Sequence, residues 1–112
     1  MSTRFYHFSQ NNSGGSFDVQ PNEGIDVNVI IEAPSAPEAN TIAEGIGIYF
    51  NGCSTGIDCS CCGDRWYKVD YYEGSEKPGI YGNPFEKDDS HSGYIHYLNG
   101  EIQAIEDYIL SL

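Results

Sequence analysis

IDVNVIIEAPSAPEANTIAEGIG, residues 25–47, carries two periodicities back to back. Ile25, Val27, Val29, Ile31 and Ala33 alternate with Asp26, Asn28, Ile30 and Glu32. A period of two turns one row into a core and leaves the other, mostly polar, outside, which predicts a strand over 26–33. Ile30 breaks the polar row and implies partial cover on that side. From Ser35 the spacing changes. Ala36, Ala39, Ile42, Ala43 and Ile46 fall on one face of a helix. Ser35 and Glu38 stand in capping-box positions, Pro37 is tolerated in a first turn, and Gly45 and Gly47 are placed to stop the helix. The small alanines let such a helix lie close on a sheet.

Outward from this unit, Arg4-Phe5-Tyr6-His7-Phe8 is a short aromatic strand, and Asn11-Asn12-Ser13-Gly14-Gly15 suits a tight turn because Asn and Gly tolerate positive φ. The stretch 18–24, with Pro21, is loop or irregular edge. Ile48-Tyr49-Phe50 is expected as a brief strand closed by the turn dipeptide Asn51-Gly52. A further strand is expected over 65–72, with Trp66, Lys68, Asp70 and Tyr72 on one face and Tyr67, Val69 and Tyr71 on the other. Gly, Pro and acids make 73–92 a long loop suited to binding. A strand over 93–98 leads to Asn99-Gly100, which suggests a type I′ hairpin, and 101–112 has helical spacing at Ile102, Ile105, Tyr108, Ile109 and Leu112. The fold class expected is α+β in a single domain over 1–112: a small antiparallel sheet packed by one central helix, with a short C-terminal helix.

The chain has 5 Lys+Arg against 17 Asp+Glu, a formal charge of −12 in 112 residues. A nucleic-acid backbone binder needs cationic stripes and an anionic membrane surface repels acids, so neither is an expected partner. Acidic disordered chains are poor in aromatics, whereas this one has 9 Tyr, 5 Phe and 1 Trp, enough for a small core. Residues 1–10 show no export signal, and no apolar run reaches the roughly 18 residues of a membrane span. A reducing cytosol is the expected compartment, where disulfides are rare.

Cys53, Cys59, Cys61 and Cys62 fall within ten residues. Cys59-x-x-Cys62-Gly63 is the pattern of a zinc knuckle, in which a tight turn aims two sulfurs at one ion. It supplies half a site. Cys53 is the nearest third ligand, and the fourth comes from His7, His91 or His96, or Cys61 stands in for one of the pair. Two readings stay open: one structural zinc, or reduced thiols packed as small hydrophobes under a loop. A thioredoxin-type pair would precede a helix, whereas this pair precedes a strand-like segment, so redox catalysis is disfavoured.

Tyr67, Tyr71, Tyr72 and Tyr81 cluster around the long loop, where tyrosines stack on bases, anchor protein interfaces or pack a sheet. Packing is the expectation for Tyr67 and Tyr71. Arg65 and Asn12 complete the candidate binding set, the second as part of a backbone-amide turn. No catalytic order of Ser, His and Asp is visible, so the chain is not expected to be an enzyme.

Phe8-Ser9-Gln10-Asn11-Asn12-Ser13-Gly14-Gly15, Glu38-Ala39-Asn40, Gly47-Ile48-Tyr49-Phe50-Asn51-Gly52 and Asp58-Cys59-Ser60-Cys61-Cys62-Gly63-Asp64-Arg65-Trp66-Tyr67 together resemble a family of small proteins of tailed bacteriophages. The likeness runs from about Phe5 to Tyr81, with a weaker echo over 96–100, and its most specific piece is the block from Cys59 to Trp66. It implies an accessory gene product in the cytoplasm of the infected bacterial host, of a kind that inhibits host machinery or immunity. Two partners are expected. One is a host protein with a basic surface, steered by the −12 charge. The other is a small nucleotide signal, cyclic or of ADP-ribose type, held in a pocket between the subunits of a homo-oligomer, for which Arg4, Arg65 and Lys68 must converge. A zinc-knuckle interaction module is the third reading.

Overall fold

The computed structural model describes residues 2–12, 16–58, 60, 62–70 and 74–112. The chain opens with β1 (Arg4–Ser9), passes a single 3-10 turn at Pro21–Glu23, and enters β2 (Asn28–Ala33). Helix α1 (Ala36–Ile46) follows, then a one-turn helix α2 (Gly52–Thr55). After the cysteine segment come a minimal hairpin, β3 (Gly79–Ile80) and β4 (Asn83–Pro84), then β5 (Gly93–His96), β6 (Ile102–Ala104) and α3 (Ile105–Leu110). The main sheet has the order β1-β2-β5-β6. The α+β class, the central helix and the short C-terminal helix agree with the sequence expectation. The sheet differs in one pairing. β1 and β6 lie antiparallel to their neighbours, but β2 and β5 run parallel, Ile30 beside Ile95. Parallel strands require a long crossover, and α1 with the whole of 47–92 serves as one.

The capped helix forms as its residues dictate. Ser35 has extended backbone and its Oγ accepts from the Glu38 N–H at 3.4 Å. At the other end Gly47 is left-handed, and the N–H groups of Gly47 and Ile48 close on Glu44 and Ala43 carbonyls, a Schellman arrangement. Gly45 does not end the helix but lies inside it. Ile48 is buried in the core with its N–H committed to the helix cap, which is why the strand expected at 48–50 does not form.

Two cores result, one on each face of the sheet. Tyr6, Phe8, Val29, Ile31 and Ala33 face α1, joined by Trp66 and Val69. Ile30, Ile95, Ile105, Ile109 and Phe85 form the second. Ile30 is therefore fully buried, not partly covered, because α3 and the loop beyond β4 close over the row expected to face water. Burying such a side chain is worth about 2–3 kcal/mol.

Four further expectations are corrected. The segment after Arg65 forms no strand among its described residues. Its main chain is held instead by Asn40, whose amide donates to the Val69 carbonyl at 3.1 Å and accepts from the Val69 N–H at 2.9 Å. A side-chain amide from the helix thus replaces a neighbouring strand, and Trp66 and Val69, three apart, are its buried residues. The loop 73–92 contains the β3–β4 hairpin. In the last segment Ile102–Ala104 is strand before the helix begins. The turn before it is not type I′, since Asn99 keeps negative φ and only Gly100 is left-handed. Hydrogen bonds Gly100 N–H to Tyr97 and Tyr97 N–H to Glu101 mark a three-residue loop with glycine at its last position.

Candidate binding cleft beside the first strand

The outer edge of β1 is met at two points. Phe5 exchanges backbone hydrogen bonds with Ser75 at 2.8 and 3.0 Å, and Asn11 N–H donates to the Arg65 carbonyl at 2.8 Å. A cleft of two adjoining lobes lies along this edge. The first, about 740 Å³, is lined by Arg4, His7, Ser75, Glu76, Lys77 and Tyr81 among others. The second, about 530 Å³, is lined by His7, Ser9, Asn11, Tyr67, Lys68 and Tyr81 among others. Both volumes suit a small molecule. One chain builds both lobes.

Tyr81 is the wall they share. It sits at the tip of the β3–β4 hairpin, where Tyr81 and Gly82 have φ of 51° and 81°, the type I′ geometry. Left-handed backbone costs a bulky residue about 1–2 kcal/mol. Three contacts offset it. The Tyr81 N–H donates to His7 Nδ1 at 3.2 Å, its hydroxyl donates to Ser9 Oγ at 3.1 Å, and its ring stands edge-on to the His7 ring with centroids 4.9 Å apart. Because Nδ1 accepts, the His7 proton is on Nε2, which donates to Asn28 Oδ1 at 2.7 Å. Asn28 is oriented in turn by its own bond to the Ser92 carbonyl at 3.1 Å. Tyr81 remains 76% exposed, so an aromatic ring is presented to solvent at the joint of the lobes.

Charge in the cleft opposes that of the whole. Arg4, Lys68 and Lys77 line it against Glu76 as the lining carboxylate among the described residues, in a chain of net −12. Arg4 is anchored by an N–H bond to the Gly74 carbonyl at 2.8 Å. Lys68 lines the second lobe, and its Nζ sits 5.8 Å from the centroid of the Phe50 ring.

Of the sequence candidates, the fold brings Tyr67 and Tyr81 to the cleft, and Tyr67 is exposed, not packed into the sheet. Asn12 is exposed and lines neither lobe, whereas its neighbour Asn11 does. Arg65 is turned inward. Its guanidinium donates to the Tyr49 hydroxyl at 3.0 Å, to Gln10 Oε1 at 2.7 Å and to the Ser16 carbonyl at 2.8 Å. The Asp58 carboxylate is the hub of that network: it accepts from the Tyr49 hydroxyl at 2.7 Å and from the Arg65 backbone N–H at 2.8 Å, with the Arg65 Nε at 3.8 Å. Burial and the neighbouring Asp58 carboxylate raise the Tyr49 phenol above its ordinary pKa. Gly52 is required here, because a Cβ would stand 1.9 Å from Asp58 Oδ2.

Tyr71, Tyr72, Cys59 and Cys61 lie outside the described residues. Cys53, half-buried on α2, donates its N–H to Asp64 Oδ1 at 2.9 Å, and exposed Cys62 accepts at its carbonyl from Asn11 at 2.9 Å. Among the described residues no three His, Cys, Asp or Glu side chains are grouped as metal ligands, so the zinc reading rests on the two cysteines outside them. His96 is buried with Nε2 bonded to the Gly24 carbonyl at 2.8 Å, and His91 packs its ring against Phe85.

The cleft combines residues that the sequence singled out with others it did not. Of Arg4, Arg65 and Lys68, which the nucleotide reading requires to converge, Arg4 and Lys68 line the cleft and Arg65 does not; Lys77 carried no motif, and His7 entered only as a candidate metal ligand. What signal existed was the rarity of cations in so acidic a chain. No helix among the described residues is long and apolar enough to cross a membrane. No curated protein and no solved structure matches this chain. The family match covers nearly all of it and carries nothing on a phage origin: the chain belongs to the family defined by a domain of unknown function, DUF7296, matched over residues 3–111.

Proposed function

We propose that this protein is a non-enzymatic binder that acts against a bacterial host or defence factor by holding a small anionic nucleotide-type signal in the cleft beside β1. The observation that carries this reading is the gathering of Arg4, Lys68 and Lys77 with Tyr67 and Tyr81 around one cleft, in a protein with 5 Lys+Arg in all. Cations there attract phosphate and exposed tyrosines stack on a ring. His7, the histidine lining the cleft, has both ring nitrogens in hydrogen bonds to the protein, which supports capture over catalysis. The resemblance to phage proteins supports an accessory gene product working in the cytoplasm of an infected cell. Calorimetry and thermal shift against a cyclic mononucleotide, a cyclic dinucleotide and ADP-ribose test it. At least one is expected to bind and to raise the unfolding temperature by mass action; no binding by any of them overturns the reading.

A second reading, direct inhibition of a host protein with a basic surface, is favoured by the −12 charge. It predicts capture that weakens steeply as salt rises, since steering between opposite charges is screened. A third keeps Cys59 and Cys62 as a structural zinc knuckle, for which metal analysis of the purified protein is the test.

A further inference from the structure

We infer that the two lobes divide one ligand between them, phosphate in the first and planar ring in the second, and that the first lobe selects a singly charged phosphodiester over a doubly charged phosphomonoester. This deepens the nucleotide reading above and rests on it. Charge is divided unevenly between the lobes. Arg4, Lys77 and Glu76 all line the first. Tyr67 lines only the second, with Lys68, whose Nζ lies 5.8 Å from the centroid of the Phe50 ring. Tyr81 belongs to both and presents its ring at the joint. A ligand with a phosphate and a ring a sugar's length apart spans this arrangement.

The preference for a diester follows from charge. Among the described residues, two cations and one carboxylate line the first lobe, a single net positive charge that a phosphodiester monoanion neutralises. A monoester carries close to two charges at pH 7. Its second charge meets Glu76 nearby and the −12 field of the whole chain, so it is repelled where the diester is matched. Arg4, tied to the Gly74 carbonyl at 2.8 Å, provides a fixed guanidinium whose remaining donors suit phosphate oxygens.

Three probes separate the parts: adenosine has the ring alone, 5′-AMP adds a monoester, and 3′,5′-cyclic AMP adds a diester. Stacking tolerates changes of base, so adenine stands for the class. Titration calorimetry of the full chain should show cyclic AMP binding about tenfold or more tighter than either of the others, a gap within reach of one desolvated charge contact. Lys77→Ala should bring cyclic AMP down to the adenosine level, and Glu76→Gln should erase the diester preference by strengthening 5′-AMP. Tyr67→Ala should weaken all three by about tenfold, as loss of one stacking ring does. All of these side chains are exposed or line open space, so their replacement leaves the cores intact. If cyclic AMP binds no tighter than 5′-AMP, or if Lys77→Ala leaves its affinity unchanged, the division of lobes is wrong while nucleotide capture stands. If no probe binds, and the cyclic dinucleotide and ADP-ribose fail as well, both fall together.

Discussion

Asp58 shows how much one side chain organises. Its carboxylate satisfies the Tyr49 hydroxyl and the Arg65 backbone N–H while facing the Arg65 guanidinium, which in turn holds Gln10 and the Ser16 carbonyl. Removing it takes the carboxylate from beside a mostly buried guanidinium and leaves the Tyr49 hydroxyl and the Arg65 backbone N–H without their acceptor. Asp58→Ala should therefore cost about 3 kcal/mol, read as a lower urea midpoint with unchanged slope. Asp58 and Arg65 stand seven residues apart in the chain, but nothing in the sequence indicated that Arg65 would turn inward to Gln10, 55 residues away. That contact exists only once β1 and the cysteine loop are side by side. His96 gives a pH dependence. Burial lowers its pKa below the ordinary 6.5, with the Gly24 bond opposing in part. The unfolded chain takes up a proton near that ordinary value while the folded protein refuses it. Stability is therefore full above it and falls as the solution is acidified through it, until the folded imidazole also titrates. Urea midpoints measured across this window should drop on the acid side, and His96→Gln should flatten that part of the profile.

At the scale of elements, α1 was legible in detail and the segments after it were not. A helix with its own cap and a single apolar stripe is specified locally. Its one internal fault is Gly45, a helical glycine where an added Cβ would meet nothing within 4 Å beyond the helix's own backbone. Gly45→Ala should stabilise by about 0.5–1 kcal/mol, seen as a higher melting temperature. The opposite holds at Gly93, where β5 begins beside β2: a Cβ there would stand 2.1 Å from the Asn28 carbonyl oxygen. Gly93→Ala should push the parallel pair apart and destabilise by about 3 kcal/mol, with slowed hydrogen exchange lost across β2 and β5. The strand expected after Arg65 failed for a related reason. Alternation in Trp66 to Val69 was a poor guide because Asn40 took the place of a strand neighbour. Likewise Ile48-Tyr49-Phe50 has strand-like composition but spends its first N–H on the helix cap.

Across the whole molecule, charge outweighs every local feature. At −12 the folded chain repels itself, and compaction brings those acids closer than they are when unfolded. Raising salt from about 0.01 M to about 0.15 M shortens the screening length from about 30 Å to about 8 Å. The melting temperature should rise by several degrees, and an equal osmolality of a neutral solute should not reproduce the full effect. A falling melting temperature would mean that attractive pairs outweigh the repulsion. The sequence by itself determined the strand and capped helix of residues 25–47, the aromatic first strand, the α+β class and the surplus of acid, because each is written in local spacing, capping chemistry or composition. Only the tertiary structure decided that β2 and β5 run parallel, that Ile30 is buried under a second core, and that Arg4, Lys68 and Lys77 meet Tyr67 and Tyr81 at one edge. Those facts depend on contacts between residues far apart in the chain, and no local pattern records which distant partner a strand edge or a side chain will find.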